Sequence, residues 1–257
     1  MSCILEAHRG VGTEYPENTL SAFRAAVRQG YGMIELDTKF TADNVCVILH
    51  DGTVSRMARH DDGSAVEGKV NIADLTLAEA KALDFGIAKG AEHRGVRICT
   101  LQEVLDFAAV ERIPLKFDNV LQSHTPEQLS IFCETVRASI AAPYCGFTSN
   151  NLTFIEKMLG EFPAGTIHYD GPVTEEALNA LSRIVPPGQL YVWMRYDNEH
   201  TSWCKTPPVS EEMARRVKAF AKLGLWLLTK QSELDDAEAK YDADVAETDG
   251  SLKPIRG

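Results

Sequence analysis

The chain has 257 residues, of which 44% are hydrophobic, and this suits one large domain with a buried core. Its formal net charge of −11 excludes the basic surface of a general nucleic-acid binder, but it allows a small anionic substrate held by a local cation. No apolar stretch is long enough for a membrane span, and the six cysteines lack CxxC spacing, so we expect free thiols and a cytoplasmic protein.

Short apolar runs alternate with segments of helical period, which is the pattern of parallel βα units. After the first run, Leu20, Phe23 and Val27 share one helix face. Asn18 is the expected N-cap of that helix. Further helices are predicted to begin near Thr100, Thr125, Thr174, Ser210 and Ser232. The eight runs predicted as parallel strands are 3–8, 33–39, 113–119, 144–148, 164–168, 189–195, 224–229 and 243–248.

Two irregularities interrupt this alternation. A further run, 45–50, follows the second strand after only four residues, which is too short for a helical crossover, so we expect it to run antiparallel. The interval of about 51–97 has weak strand signals and reads as an insertion, with a short helix near Asp74–Glu79. Few residues follow the last run, so the eighth helix should be missing or rudimentary. The sequence therefore predicts a (β/α)₈ TIM barrel, one domain over 1–257, with a small insertion after the second strand.

Polar side chains follow the first two strands of this predicted barrel. Glu35 and Asp37 are two residues apart on one strand, so their carboxylates point the same way. At the C-terminal end of a barrel strand both would face the mouth, and converging carboxylates suit a hard divalent ion. His8 and His50 each end an apolar run and can carry protons near neutral pH. Arg9 can hold a phosphate through two hydrogen bonds. Together these residue types predict hydrolysis of a phosphodiester.

The motifs that carry these residues resemble the glycerophosphodiester phosphodiesterase family. The similarity is dense over the first 56 residues and thin between 120 and 220. It consists of His8-Arg9-Gly10, Pro16-Glu17-Asn18-Thr19, Glu35-x-Asp37, His50-Asp51, Arg56, Thr100-Leu101-Gln102-Glu103-Val104-Leu105, Trp226 and Ala246-Glu247-Thr248-Asp249.

The resemblance implies one divalent cation, Mg²⁺ or Ca²⁺, held by Glu35 and Asp37. It also implies phosphate contact from Arg9, general acid–base roles for His8 and His50, and a TIM barrel with an insertion after the second strand. It supports Trp226 as a substrate contact, because an aromatic at a strand end can pack against the substrate's alcohol.

The third strand departs from the family pattern, which is Glu-x-Lys, because this chain has Lys116-Phe117-Asp118. Either Asp118 stands in the glutamate position and the family's lysine is absent, or Lys116 stands there and the pair is reversed. In both registers Lys116 and Asp118 share one face. We favour Asp118 as the third metal ligand and Lys116 as a substrate-binding charge. The alternative is that the two merely pair with each other inside the barrel.

The predicted reaction is metal-dependent hydrolysis of a glycerophosphodiester to an alcohol and glycerol 3-phosphate, with a small-molecule substrate and no nucleic acid. An alternative is a related phosphodiesterase or a cyclising lyase that acts on a lysophospholipid or a sugar phosphodiester. A third hypothesis is a barrel that binds anions without catalysis. The sequence leaves the oligomeric state open, a homo-oligomer included.

Overall fold

The computed structural model describes residues 3–254, so the first two and last three residues of the predicted 1–257 domain lie outside the described part. Eight parallel strands close into a barrel in which the first strand pairs with both the second and the last, as the sequence predicts. The barrel strands are β1 (Ile4–His8), β2 (Met33–Leu36), β5 (Leu115–Phe117), β6 (Cys145–Ser149), β7 (Thr166–Tyr169), β8 (Leu190–Arg195), β9 (Lys222–Trp226) and β10 (Val245–Thr248).

Helices connect successive barrel strands, and their apolar faces pack on the outside of the barrel. Residues 249–254, which follow β10, contain no helix, in agreement with the expected loss of the eighth one. The N-cap of the first helix is Thr19 and not Asn18, since the Thr19 hydroxyl accepts from the Ala22 backbone N–H. The helices are α1 (Leu20–Gln29), α2 (Leu77–Ala82), α3 (Leu101–Glu111), α4 (Pro126–Ala138), α5 (Leu152–Glu161), α6 (Glu175–Ile184), α7 (Glu211–Lys218) and α8 (Gln231–Ala239).

An antiparallel hairpin follows the second barrel strand. The predicted strand 33–39 stops at Leu36, and the chain then enters β3 (Thr38–Phe40), which pairs antiparallel with β4 (Cys46–Ile48). The inserted segment after β4 packs on this hairpin through a small core of its own that includes Val54, Ile72 and Phe85. Because the hairpin and the insertion support each other, they fix the residues directly after β4 beside the barrel mouth.

The core lies between the barrel and its helices. Phe117, Phe132 and Phe147 are fully buried there, with ring centroids 5.0–6.3 Å apart. All six cysteines are free, and four of them are buried, as expected from their spacing. No helix in residues 3–254 is long and apolar enough to cross a membrane.

Candidate active site

A cavity of about 1230 Å³ opens at the C-terminal ends of the barrel strands. Parallel barrels place their sites at this end because the loops that follow the strands converge there. The eight side chains predicted from the sequence all border this cavity, although they come from segments far apart in the chain. They are His8, Arg9, Glu35, Asp37, His50, Lys116, Asp118 and Trp226.

The turn after β1 directs Arg9 across the mouth. Arg9 has a φ of +57°, and its backbone N–H donates to Glu35 Oε2 at 3.0 Å. Gly10 follows with a φ of +82°, and a Cβ there would stand 2.7 Å from the Cβ of Ala22, so only glycine fits without displacing α1. The Arg9 guanidinium consequently lies 3.4 Å from Asp37 and 3.2 Å from Glu17.

A chain of ion pairs joins Arg9 to His50. Glu17 lies between Arg9 and Arg56, and its contact with Arg56 is 2.7 Å. Arg56 also holds Asp51 at 2.6 Å, and Asp51 in turn contacts His50 Nδ1 at 2.7 Å. Glu17 lies in the Pro16-Glu17-Asn18-Thr19 motif, but the sequence alone predicts no positioning role for it. The network shows that the two arginines and the second histidine are positioned together.

The predicted metal-binding carboxylates lie close enough to affect one another. Asp37 accepts a hydrogen bond from Asn18 Nδ2 at 2.9 Å, which explains why Asn18 faces the site and does not cap α1. Burial raises the pKa of Asp118 to about 6, and the charge of Asp37 adds to the increase. Burial, followed by the charges of Asp37 and Asp118, raises the pKa of Glu35 well above its usual value.

These three carboxylates fit a hard divalent cation by their chemistry. Oxygen ligands suit such an ion, and a nearby cation would lower the raised pKa values of Glu35 and Asp118. Within residues 3–254, however, no three His, Cys, Asp or Glu side chains are gathered around one point as a complete metal cluster. The oxygen donors thus suit the ion by their chemistry but are not gathered around it, and the guanidinium of Arg9 lies against Asp37 at 3.4 Å.

Lys116 lies deeper than the other predicted site residues. Its ammonium pairs with Glu6 at 2.6 Å and with Glu247, and it stands 3.6 Å above the ring of Trp193. The alternative in which Lys116 pairs with Asp118 does not describe these contacts. Lys116 is the Cα partner of Glu35, and the backbone N–H of Asp118 donates to Leu36 one level nearer the mouth. The backbone of Lys116 is therefore level with Glu35 while its ammonium reaches down to Glu6, and Asp118 lies two residues farther along the chain, nearer the mouth.

The two histidines differ in their surroundings. His8 is 26% exposed, toward the cavity, and its Nε2 lies 3.9 Å from Glu35 Oε2. Burial by the surrounding protein lowers the pKa of His8, although the charge of Glu247 opposes that shift, and this favours the neutral ring. His50 is 42% exposed and is paired with the Asp51 carboxylate. One ring thus lies inside the cavity beside Glu35, and the other lies at its rim against the carboxylate of Asp51.

Several residues of this cavity carry no motif in the sequence. Trp203 is 74% exposed and its ring lies 6.0 Å from that of Trp226. Asp170 follows β7 and accepts a hydrogen bond from Asn119. Arg195 also borders the cavity, where it donates to Thr206 O and pairs with Asp197 at 2.9 Å. Only the folded chain could reveal these residues, because loop contacts decide where they point.

His8 and His50, which can transfer protons, lie here beside the guanidinium of Arg9, which can hold an oxyanion. On a parallel barrel, these groups are the features of an enzyme that hydrolyses phosphate diesters. The model of the glycerophosphoryl diester phosphodiesterase family matches residues 8–225. The chain belongs to this family, and it is therefore an enzyme of the phosphoric diester hydrolase class.

Individual relatives agree with this assignment. A glycerophosphodiester phosphodiesterase of Caldanaerobacter subterraneus is 32% identical over 177 residues, which are 67% of this chain and 70% of that protein. A putative glycerophosphodiester phosphodiesterase of Bacillus subtilis is 40% identical over 99 residues, but these span only 38% of this chain and 37% of that relative.

Solved structures confirm the fold. A putative glycerophosphoryl diester phosphodiesterase from Silicibacter pomeroyi superposes with a TM-score of 0.76 at 20% identity, over 96% of this chain and 90% of the other. A phosphodiesterase from Oleispira antarctica, solved in complex with its product sn-glycerol-3-phosphate, gives a TM-score of 0.75 at 21% identity, over 96% and 93% of the two chains.

Proposed function

We propose that this enzyme hydrolyses a glycerophosphodiester to an alcohol and glycerol 3-phosphate, with His8 and His50 as its proton carriers and one divalent cation, Mg²⁺ or Ca²⁺. The observation that carries this proposal is the convergence of both histidines, Arg9 and the carboxylates of two strands on one cavity. The names of the relatives support the substrate class, and the product bound to the Oleispira antarctica enzyme is the one expected here.

Each histidine has a proposed task. His8 is the base, because a neutral ring can take the proton of the nucleophile. The nucleophile is either water or the neighbouring hydroxyl of glycerol, and in the second case water then opens the cyclic phosphate. His50 is the acid, because the Asp51 carboxylate holds its Nδ1 at 2.7 Å and leaves Nε2 to give a proton to the leaving alcohol. Arg56 and Glu17 keep His50 and Arg9 in fixed relation, so that the donated proton and the held phosphate meet at the same bond.

The phosphate requires positive groups. Arg9 supplies a fixed one at the mouth, and Lys116 is the proposed second, although Glu6 and Glu247 already share its charge. The cation, held by Glu35, Asp37 and Asp118, would withdraw charge from the phosphate oxygens as it builds up during the reaction.

Product analysis tests the proposal directly. The purified protein is incubated with glycerophosphocholine and Mg²⁺ or Ca²⁺, and phosphorus NMR follows the phosphate. We expect glycerol 3-phosphate as the final product. A cyclic phosphate that accumulates without opening would instead indicate the cyclising lyase, and no turnover of any diester with either cation would contradict the proposal.

Replacing Asp118 tests the third metal ligand. We expect Asp118→Ala to raise the cation concentration needed for half-maximal activity by at least about tenfold, because the site loses one of its three charged ligands. Isothermal calorimetry with Mg²⁺ or Ca²⁺ measures the same loss without substrate. The matched control is Asp106→Ala, which removes an exposed carboxylate from α3. An unchanged cation affinity in Asp118→Ala would show that this residue is not a ligand.

A specific observation favours a second candidate substrate, a lysophospholipid. One side of the cavity is apolar, since Pro172, Val173 and Met213 border it beside the paired rings of Trp203 and Trp226. An exposed tryptophan at a cavity rim gains free energy when it covers apolar surface. Glycerol and choline offer little such surface, whereas an acyl chain offers a large one.

Two substrates with the same headgroup separate these candidates. If the acyl chain lies on the tryptophan pair, Trp203→Ala should lower kcat/KM for lysophosphatidylcholine about tenfold, which corresponds to roughly 1.4 kcal/mol of lost apolar contact. The rate with glycerophosphocholine should change far less. Ile140→Ala, which removes an exposed apolar side chain outside the cavity, is the control. Equal effects of Trp203→Ala on both substrates would rule out an acyl site on this wall.

A further inference from the structure

Asp170 stands on the far side of the mouth from Arg9. It follows β7, which is four strands from β1 in the barrel order, and it borders the same cavity. The side-chain amide of Asn119 donates to Asp170 Oδ2 and thereby fixes the orientation of the carboxylate. Asn119 directly follows Asp118, so this pair adjoins the proposed cation site without being part of it.

The second oxygen of this carboxylate has no protein partner. Within residues 3–254, Asp170 Oδ1 is buried and makes no hydrogen bond, and Asp170 forms no ion pair with a lysine, arginine or histidine. A buried acceptor left without a donor costs roughly 1–3 kcal/mol, so a purely structural carboxylate would be expected to use both oxygens. This arrangement leaves one oriented acceptor at the cavity.

The chemistry of a carboxylate restricts what can meet it. A phosphate oxygen carries the same sign of charge and would be repelled, whereas a hydroxyl group can donate a hydrogen bond. The amide of Asn119 donates to Oδ2 and leaves Oδ1 without a hydrogen bond. A hydroxyl group on the uncharged part of a ligand in the cavity can supply the donor that Oδ1 lacks.

We infer that Asp170 binds a hydroxyl group of the substrate, and that Asn119 is the positioning residue that aims it. The inference rests on the proposed function, which places the phosphate at Arg9 and the carboxylates of β2. A diester held there extends its polyol toward β7, where the glycerol hydroxyls meet Asp170 Oδ1. Asp170 thus selects diesters whose alcohol carries free hydroxyls over diesters that lack them.

A substrate pair isolates this contact. Asp170→Asn keeps the size of the side chain but weakens the acceptor, and it is assayed with glycerophosphocholine and with bis(p-nitrophenyl) phosphate, which has no hydroxyl. We expect the ratio of kcat/KM for the first substrate to that for the second to fall about 10- to 100-fold, mainly through KM. The exposed carboxylate variant Asp106→Asn should leave that ratio unchanged.

Asn119→Ala gives a second measure, because the loss of its amide should lower the same ratio in the same direction and by a smaller factor. Calorimetry then follows the binding of glycerol 3-phosphate to the wild type and to Asp170→Asn. We expect the variant to bind it at least about tenfold more weakly, with an unchanged unfolding midpoint.

The outcomes distinguish this inference from the proposed function. An equal loss of kcat/KM on both diesters, or a weaker affinity for Mg²⁺ or Ca²⁺ in Asp170→Asn, would overturn it and assign the carboxylate to the cation site. Turnover of neither diester by the wild type would overturn the proposed function. In that case the calorimetric comparison still decides whether Asp170 binds the hydroxyl groups.

Discussion

His8→Ala and His50→Ala should each lower kcat by about 10²–10⁴-fold, which is the range expected when a positioned proton carrier is lost. Both side chains border the cavity and neither belongs to the core, so the folded structure should persist. His60→Ala is the matched control, because His60 is exposed and lies away from the cavity. The measurement is steady-state hydrolysis of glycerophosphocholine, with circular dichroism to confirm folding.

The leaving group tells the two histidines apart. A p-nitrophenyl leaving group departs without a proton, so His50→Ala should lose much less activity on such an ester than on glycerophosphocholine. His8→Ala should lose a similar factor on both, because the nucleophile must be deprotonated in either case. The reverse result would exchange the two roles, and full activity in both variants would refute acid–base catalysis by this pair.

Lys116→Met should lower the free energy of unfolding by about 3–5 kcal/mol, because it removes the cation from a buried ion-paired group. Burial alone would raise the pKa of Glu247, but the Lys116 ammonium outweighs it and holds that pKa at about 2. Glu6 differs, since burial raises its pKa well above the usual value despite the opposing charge of Lys116. Without Lys116, Glu247 would be a buried charge with no cation against it.

Acid should reduce the difference in the free energy of unfolding between the wild type and Lys116→Met. The folded-state pKa of Glu247 is depressed from 4.5 to about 2, so its stabilisation is present above pH 4.5 and is lost as the pH falls toward 2. Denaturant unfolding followed by tryptophan fluorescence at pH 7 and at pH 3 measures the effect. Glu6→Gln is the control and should cost far less, because burial raises the pKa of Glu6 and disfavours its charged form. A change below about 1 kcal/mol in Lys116→Met at pH 7 would contradict the buried ion pair.

The alternation of apolar runs with helical segments is a local property, and for this reason the sequence predicts the barrel and its hairpin. Hydrophobic periodicity and capping residues act within a few residues of each other, so they are visible before folding. The capping boxes at Thr100 and Thr125 begin α3 and α4 as expected. The prediction that Asn18 caps α1 was wrong because its amide donates to Asp37, which directly follows β2 and lies far along the chain.

The site residues also divide into those that local motifs predict and those whose position depends on contacts between distant strands. His8, Arg9, Glu35, Asp37 and His50 stand in dense motifs at strand ends, and a parallel barrel brings strand ends together whatever the loops do. The third strand was ambiguous because Lys116 and Asp118 share one face, and face alone does not give depth. The ion pairs of Lys116 with Glu6 and Glu247 are contacts between distant strands, and they hold it below the level of Asp118.

The sequence by itself determined the reaction class, because the reacting groups are concentrated in its first 56 residues and are set out by strand periodicity. Tertiary structure alone decided which further residues border the cavity. Asp170, Trp203 and Asn119 lie in segments without a motif, and each acquires its position from partners far along the chain or across a loop. Such contacts depend on how the barrel closes, which no local pattern of residues records.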